Sequence, residues 1–216
     1  MSEIYRADQI DQVLVDAINT KNYESVREIL ENCDDNFNIL DINSKYGMTA
    51  FHHAVQRSVA DIDIIKLLID HANQCAIANI PDASEAHKFV AKFYYIDPII
   101  NKKTRNDEYG STAVDIVIST LWGDGRYWDI SKLLLSVGGR TEEYKESGNF
   151  NGIYFNDDQL INTKINEDGS SYTGHFYNGE EKHGSGTMTF PDGSSFSGVW
   201  EYDHIYSAFL NTVAYG

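Results

Sequence analysis

Three segments of this chain carry the same apolar triplet at helical spacing. They are Val26 with Ile29 and Leu30, Ile64 with Leu67 and Leu68, and Ile130 with Leu133 and Leu134. A residue followed by apolar partners three and four places on draws a single stripe along a helix. Leu68 and Leu134 stand 66 residues apart. One-sided helices that recur at a fixed interval bury their stripes by stacking unit on unit. The pattern stops near residue 144. Beyond it glycine is dense, and aromatic residues alternate with small ones as they do in strands. The reading is therefore α+β: a helical repeat array over 1–143, then an antiparallel β-hairpin array over 144–216, with the boundary at 141–147.

A second signal precedes two of the helical triplets. Tyr46-Gly47-Met48-Thr49-Ala50-Phe51-His52-His53-Ala54 has a glycine suited to a tight turn, a threonine suited to capping a helix, and a histidine three residues on that can bond back to it. Tyr109-Gly110-Ser111-Thr112-Ala113-Val114-Asp115 repeats the element more loosely, with Asp115 in place of the histidine. These segments resemble the turn-and-helix element of ankyrin repeats, and 66 residues is twice the family's period of about 33. The resemblance covers about residues 8–140. It implies a capping helix pair over 8–32, broken at Lys21-Asn22-Tyr23, and a degenerate repeat over 76–103 with an inserted or misplaced helix, holding an amphipathic segment from Ser84 to Tyr95, then Pro98. It also implies a long link from Leu121 to Trp128.

The second half repeats as well. Phe150-Asn151-Gly152-Ile153-Tyr154, Tyr172-Thr173-Gly174-His175-Phe176 and Phe196-Ser197-Gly198-Val199-Trp200 each place aromatic, glycine and a large apolar or aromatic residue on one strand face. Asn178-Gly179 and Asp192-Gly193 are turn signals, and Gly184 to Phe190 reads as the return strand between them. Over about 148–203 this pattern resembles the MORN repeat. The tail from Tyr206 to Tyr215 is expected to pack over the last hairpin or along the sheet edge, and the open edges allow pairing into a homodimer.

The chemistry-bearing residues point away from catalysis. His52 and His53 are adjacent, so on a helix they diverge by about 100° and do not share a metal. His175 and His183 fall in the hairpins, where the MORN resemblance gives His183 a structural place. Glu180-Glu181 and Asp157-Asp158 lie beside turns, where carboxylates stay solvated. There is no phosphate-binding glycine loop, no nucleophile elbow and no zinc spacing. No catalytic residue, metal or cofactor is expected. The rings of Tyr172, Phe176, Phe196 and Trp200 are assigned to core packing rather than to stacking on a sugar or base. Cys33 and Cys75 read as thiols in a reducing cytoplasm, and a disulfide between them is possible though nothing in the sequence asks for it.

The formal charge is −16. Residues 144–216 hold three lysines against ten acidic groups, a net −7, which leaves −9 for residues 1–143. Such a field repels nucleic acid and anionic lipid, and steers a basic partner inward. The ankyrin resemblance implies protein binding through loop tips and inner helices. On this chain those positions are Lys45, Tyr46 and Met48 at one tip, Glu108, Tyr109 and Ser111 at another, and His53, Gln56 and Arg57 on an inner helix. Three roles fit: an adaptor, such as a bacterial effector acting in a host cytosol; an immunity protein that neutralises a basic toxin enzyme; and a lipid-associated scaffold, against which the −7 half argues.

Overall fold

The structure is a computed structural model and describes residues 7–33, 47–56, 60–104, 110–120, 126–139, 161–177 and 179–211. Among them seven helices precede a five-stranded sheet. The first pair, α1 (Ala7–Asn19) and α2 (Tyr23–Glu31), turns at Lys21, whose φ is 55°. Asn22 then caps α2 by accepting from the Ser25 amide at 3.1 Å. The second pair is α3 (Ala50–Ala54) and α4 (Ile62–Ile77). The last pair is α6 (Ala113–Thr120) and α7 (Arg126–Ser136). Trp128 thus lies inside a helix rather than in a link, and residues 121–125 fall outside the described residues.

The segment read as a degenerate repeat with an inserted helix holds one long helix between the second and third pairs. Helix α3 packs directly against α6, and α4 against α7, so the second and third helix pairs are neighbours in the stack. Between them runs one inserted helix, α5 (Glu85–Ile100). The interval of 66 residues is one unit plus an insertion, which happens to equal two periods. Helix α5 also continues through Pro98, where the sequence suggests a stop. Proline removes one backbone donor there. Burial of Ile96, Ile99 and Ile100 in the repeat core holds the final turn in place.

The sheet is a simple meander, β1-β2-β3-β4-β5, antiparallel throughout. Its strands are β1 (Asn162–Ile165), β2 (Ser171–Tyr177), β3 (Glu181–Thr189), β4 (Ser195–Glu201) and β5 (His204–Leu210). Residues 212–215 of the expected tail lie outside the described residues, and as far as Leu210 the tail lies at the sheet edge as a fifth strand. A two-residue turn at Tyr202 and Asp203, with φ of 47° and 67°, leads into it. The main chain of Lys182 holds this turn: its amide donates to Asp203 Oδ1 at 2.9 Å, and its carbonyl accepts from the Asp203 amide at 2.9 Å. The unit expected at 150–154 and the boundary at 141–147 lie outside the described residues.

One face of the sheet is aromatic. Tyr172, Phe176, Phe196 and Trp200 are all buried on it. Gly174, Gly186 and Gly198 stand side by side in register across β2, β3 and β4. A β-carbon on Gly186 would overlap the Tyr172 ring, so the missing side chain is the space that ring fills.

Helix α5 closes this face. Its first half sends Ala86, Val90 and Phe93 into the sheet core, and Phe89 stacks on Phe196 with centroids 4.7 Å apart. Its second half sends Ile96, Ile99 and Ile100 into the repeat core. The β3–β4 turn caps the helix from outside. Asp192 Oδ2 accepts from the Glu85 amide and Ser194 Oγ from the Ala86 amide, both at 2.9 Å. The Asp192 carboxyl is held below the usual carboxylate range, first by the Glu85 amide and then by the Ser194 hydroxyl. At the other end, Asn101 Nδ2 donates to Gly138 O at 2.8 Å and ties α5 to the end of α7.

Candidate functional site

The site is built at the turns that lead into α3 and α6. Thr49 caps α3, and the bonds run both ways. Its hydroxyl accepts from the His52 amide at 3.4 Å, while its own amide donates to His52 Nδ1 at 3.0 Å. Because Nδ1 accepts, the imidazole proton sits on Nε2. That proton is donated to Ser111 O at 3.0 Å. His52 therefore does more than close its own turn, since it bonds to the equivalent turn of the next unit. The ring is fully buried, and desolvation lowers its pKa against the opposing pull of the Ser111 and Lys102 carbonyls.

The second turn reproduces the first with different chemistry. The Thr112 amide and hydroxyl both donate to Asp115 Oδ2, at 2.8 and 2.9 Å, and the Asp115 amide donates to Thr112 Oγ1 at 3.2 Å. A carboxylate thus replaces the imidazole as the reciprocal acceptor. Gly110 has φ of 54° and lies under the Lys103 side chain, so a β-carbon there would be strained by conformation and by contact alike. Thr104 and Ser111 bond across the base of this tip, from the Thr104 amide to Ser111 O at 3.1 Å.

The expected contact residues divide sharply. Lys45, Tyr46, Arg57, Glu108 and Tyr109 lie outside the described residues. Met48 and Gln56 are half-buried and touch each other, with Gln56 Nε2 donating to Met48 Sδ at 3.6 Å. Ser111 is half-buried, and its carbonyl is engaged by His52. His53, also expected at the contact, is buried. It is only 7% exposed, neither ring nitrogen has a hydrogen-bond partner among the described residues, and burial lowers its pKa. All five residues of α3 are buried.

The hairpin histidines serve packing. His183 is buried against the Tyr177 and Tyr202 rings, with centroids 5.8 and 5.0 Å away, and His175 Nδ1 bonds to Ser185 O at 3.0 Å. Glu180 and Glu181 are exposed. Among the described residues, no three His, Cys, Asp or Glu side chains are disposed to hold a metal ion, and no helix is long and apolar enough to cross a membrane.

Stacked helix pairs with capped turns between them define a repeat module of the kind that binds other proteins. A family model described as Ankyrin repeat matches residues 46–83, which take in the first turn, α3 and α4. An ankyrin repeat is a protein–protein interaction module. No curated protein and no solved structure matches the chain.

Proposed function

We propose that this chain is a non-catalytic interaction protein whose repeat stack docks a basic protein partner. The contact runs through the tips Lys45–Met48 and Glu108–Ser111, with Gln56 and Arg57 alongside. The bond from His52 Nε2 to Ser111 O carries this reading. It ties the Gly47–Thr49 turn to the Gly110–Thr112 turn, so that the turns of two units separated by an insertion are fixed to one another. The net charge of −16 supports a basic partner, because opposite fields accelerate encounter and disfavour acidic competitors. The sheet, read as a MORN-type array, braces the stack through α5 and does not itself make the contact.

The test is affinity capture from cells of the source organism, with the wild-type chain and with a Tyr46→Ala, Arg57→Ala, Tyr109→Ala triple variant. The expected result is a basic protein recovered by the wild type, lost with the variant, and released steeply as salt rises. Full binding by the variant removes the tips from the interface. An acidic partner, or binding indifferent to salt, removes the electrostatic part.

A further inference from the structure

Two thiols, an imidazole and a phenol converge where three helices meet. Cys33 follows the end of α2, His71 and Cys75 stand one turn apart on the same side of α4, and Tyr95 comes from the inserted α5. His71 Nε2 lies 3.4 Å from Cys75 Sγ and 3.7 Å from Cys33 Sγ. The Cys33 thiol donates to Leu30 O at 3.1 Å. Tyr95 is hydrogen-bonded to Cys75; burial, and then the nearby sulfurs, push its pKa up to about 12, so it stays a neutral donor at physiological pH. Both cysteines are reduced and half-buried, within reach of a small oxidant. The interaction surface proposed above uses none of these four residues.

We propose that Cys33 and Cys75 form a peroxide-reactive dithiol, with Cys75 as the attacking thiol, His71 as its base and Cys33 as the resolving thiol. The roles follow from the contacts. Thiolate is the reactive form, and a neighbouring imidazole draws off the proton that hides it. Cys75 is the sulfur nearer to that imidazole, and the Tyr95 hydroxyl can donate to the anion that results. The Cys33 proton is directed at a backbone carbonyl instead.

The chemistry balances with one hydrogen peroxide as oxidant. Cys75 Sγ passes its proton to His71 Nε2. The thiolate attacks one peroxide oxygen, an S–O bond forms, the O–O bond breaks, and the leaving hydroxide takes the proton back from the imidazolium as water. Cys75 is then a sulfenic acid. Cys33 Sγ attacks the oxidised sulfur, the S–S bond forms, the S–O bond breaks, and the hydroxide leaves with the Cys33 proton as a second water. Two thiols and one peroxide become one disulfide and two waters. Both sulfurs touch the same ring nitrogen, which places the resolving thiol beside the oxidised one. The product links α2 to α4, and so joins the first two helix pairs of the stack covalently.

The test treats the reduced full chain with one equivalent of hydrogen peroxide at pH 7, followed by intact mass and peptide mapping. The expected product has lost two hydrogens, carries a Cys33–Cys75 cross-link within one chain, and reverts with dithiothreitol. The wild type should react roughly tenfold or more faster than free cysteine. Cys33→Ser should stall with one added oxygen on Cys75, trapped by dimedone. His71→Gln should slow the reaction roughly tenfold. Alkylation of Cys75 in the wild type, followed against pH, needs no substitution: a midpoint well below about 8.5, the value of a simple thiol, supports the proposal, and a midpoint at that value overturns it. A disulfide between chains, or oxidation no faster than free cysteine, overturns it as well.

Discussion

Helix α5 belongs to both cores, and Phe93 tests whether that makes them unfold as one. Phe93 is 6% exposed and packs among Val90, Phe176 and Ile205 in the sheet cluster, while three residues later Ile96 enters the repeat core. Truncating a buried phenylalanine to alanine costs about 3–5 kcal/mol. The ring also borders a cavity of about 230 Å³ shared with Phe89, Ile96, Val137 and Ile205. The space left by Phe93→Ala opens into that cavity and is not sealed, which favours the lower part of the range, about 3–4 kcal/mol. With an unfolding entropy of about 2.1 cal/mol/K per residue over the 216 residues, the melting temperature should fall by roughly 7–9 °C. Trp200 is buried in the sheet, so a Trp122→Phe, Trp128→Phe background makes its fluorescence report the sheet alone, while circular dichroism at 222 nm reports the helices. In urea both signals should share one midpoint, and Phe93→Ala should shift both together. Separate midpoints, with only the fluorescence moved by the substitution, would refute the shared-core argument.

Gly186→Ala should destabilise the chain by about 2–3 kcal/mol, because the added carbon meets the Tyr172 ring and the Gly174 and Gly198 backbones leave little room to yield; an unchanged urea midpoint would show that the ring does not lie over that glycine. His53→Leu should stabilise the chain by about 1–3 kcal/mol at pH 7, since it replaces a buried imidazole whose nitrogens have no partner among the described residues. His52, His53 and His204 are all lowered from 6.5 by burial, so the unfolded chain binds protons first. Their contribution is complete above about pH 6.5 and is lost as pH falls from there toward the folded values. Urea midpoints between pH 7.5 and 5.5 should therefore decline on acidification, and decline less in the variant; a parallel decline would mean that His53 is not one of the titrating groups.

The helix pairs were legible because each triplet buries its own stripe, and the break at Lys21-Asn22-Tyr23 carries its own cap. The Thr49–His52 turn was legible for the same reason: donor and acceptor are three residues apart. What escaped was long-range. The interval from Leu68 to Leu134 matches two periods, and only the packing of α3 on α6 shows that the helix pairs on either side of the inserted helix are direct neighbours. The fifth strand was hidden because Tyr202-Asp203 lacks the glycine or asparagine that usually marks a two-residue hairpin turn, and contacts from β3 hold it instead. The burial of His53 was not legible because a single position on a short helix carries no periodic signal of its own. Cys33, His71, Cys75 and Tyr95 share no motif, and only the stacking of α2, α4 and α5 brings them together.

The cap on α5 also orders events in time. Asp192, which accepts from the Glu85 amide, is 107 residues downstream of it. Ser84 caps the helix locally, but at a synthesis rate of about 5–20 residues per second, roughly 5–20 seconds separate the translation of the helix from that of this outer cap. Through that interval the ribosome holds a chain whose first helix pairs can already stack while Phe89 and Phe93 have no sheet to cover them. The middle of this protein is therefore among the last parts to mature, and a truncation that spares every helix but removes the hairpins would leave the nascent form, sticky at α5, as the permanent one.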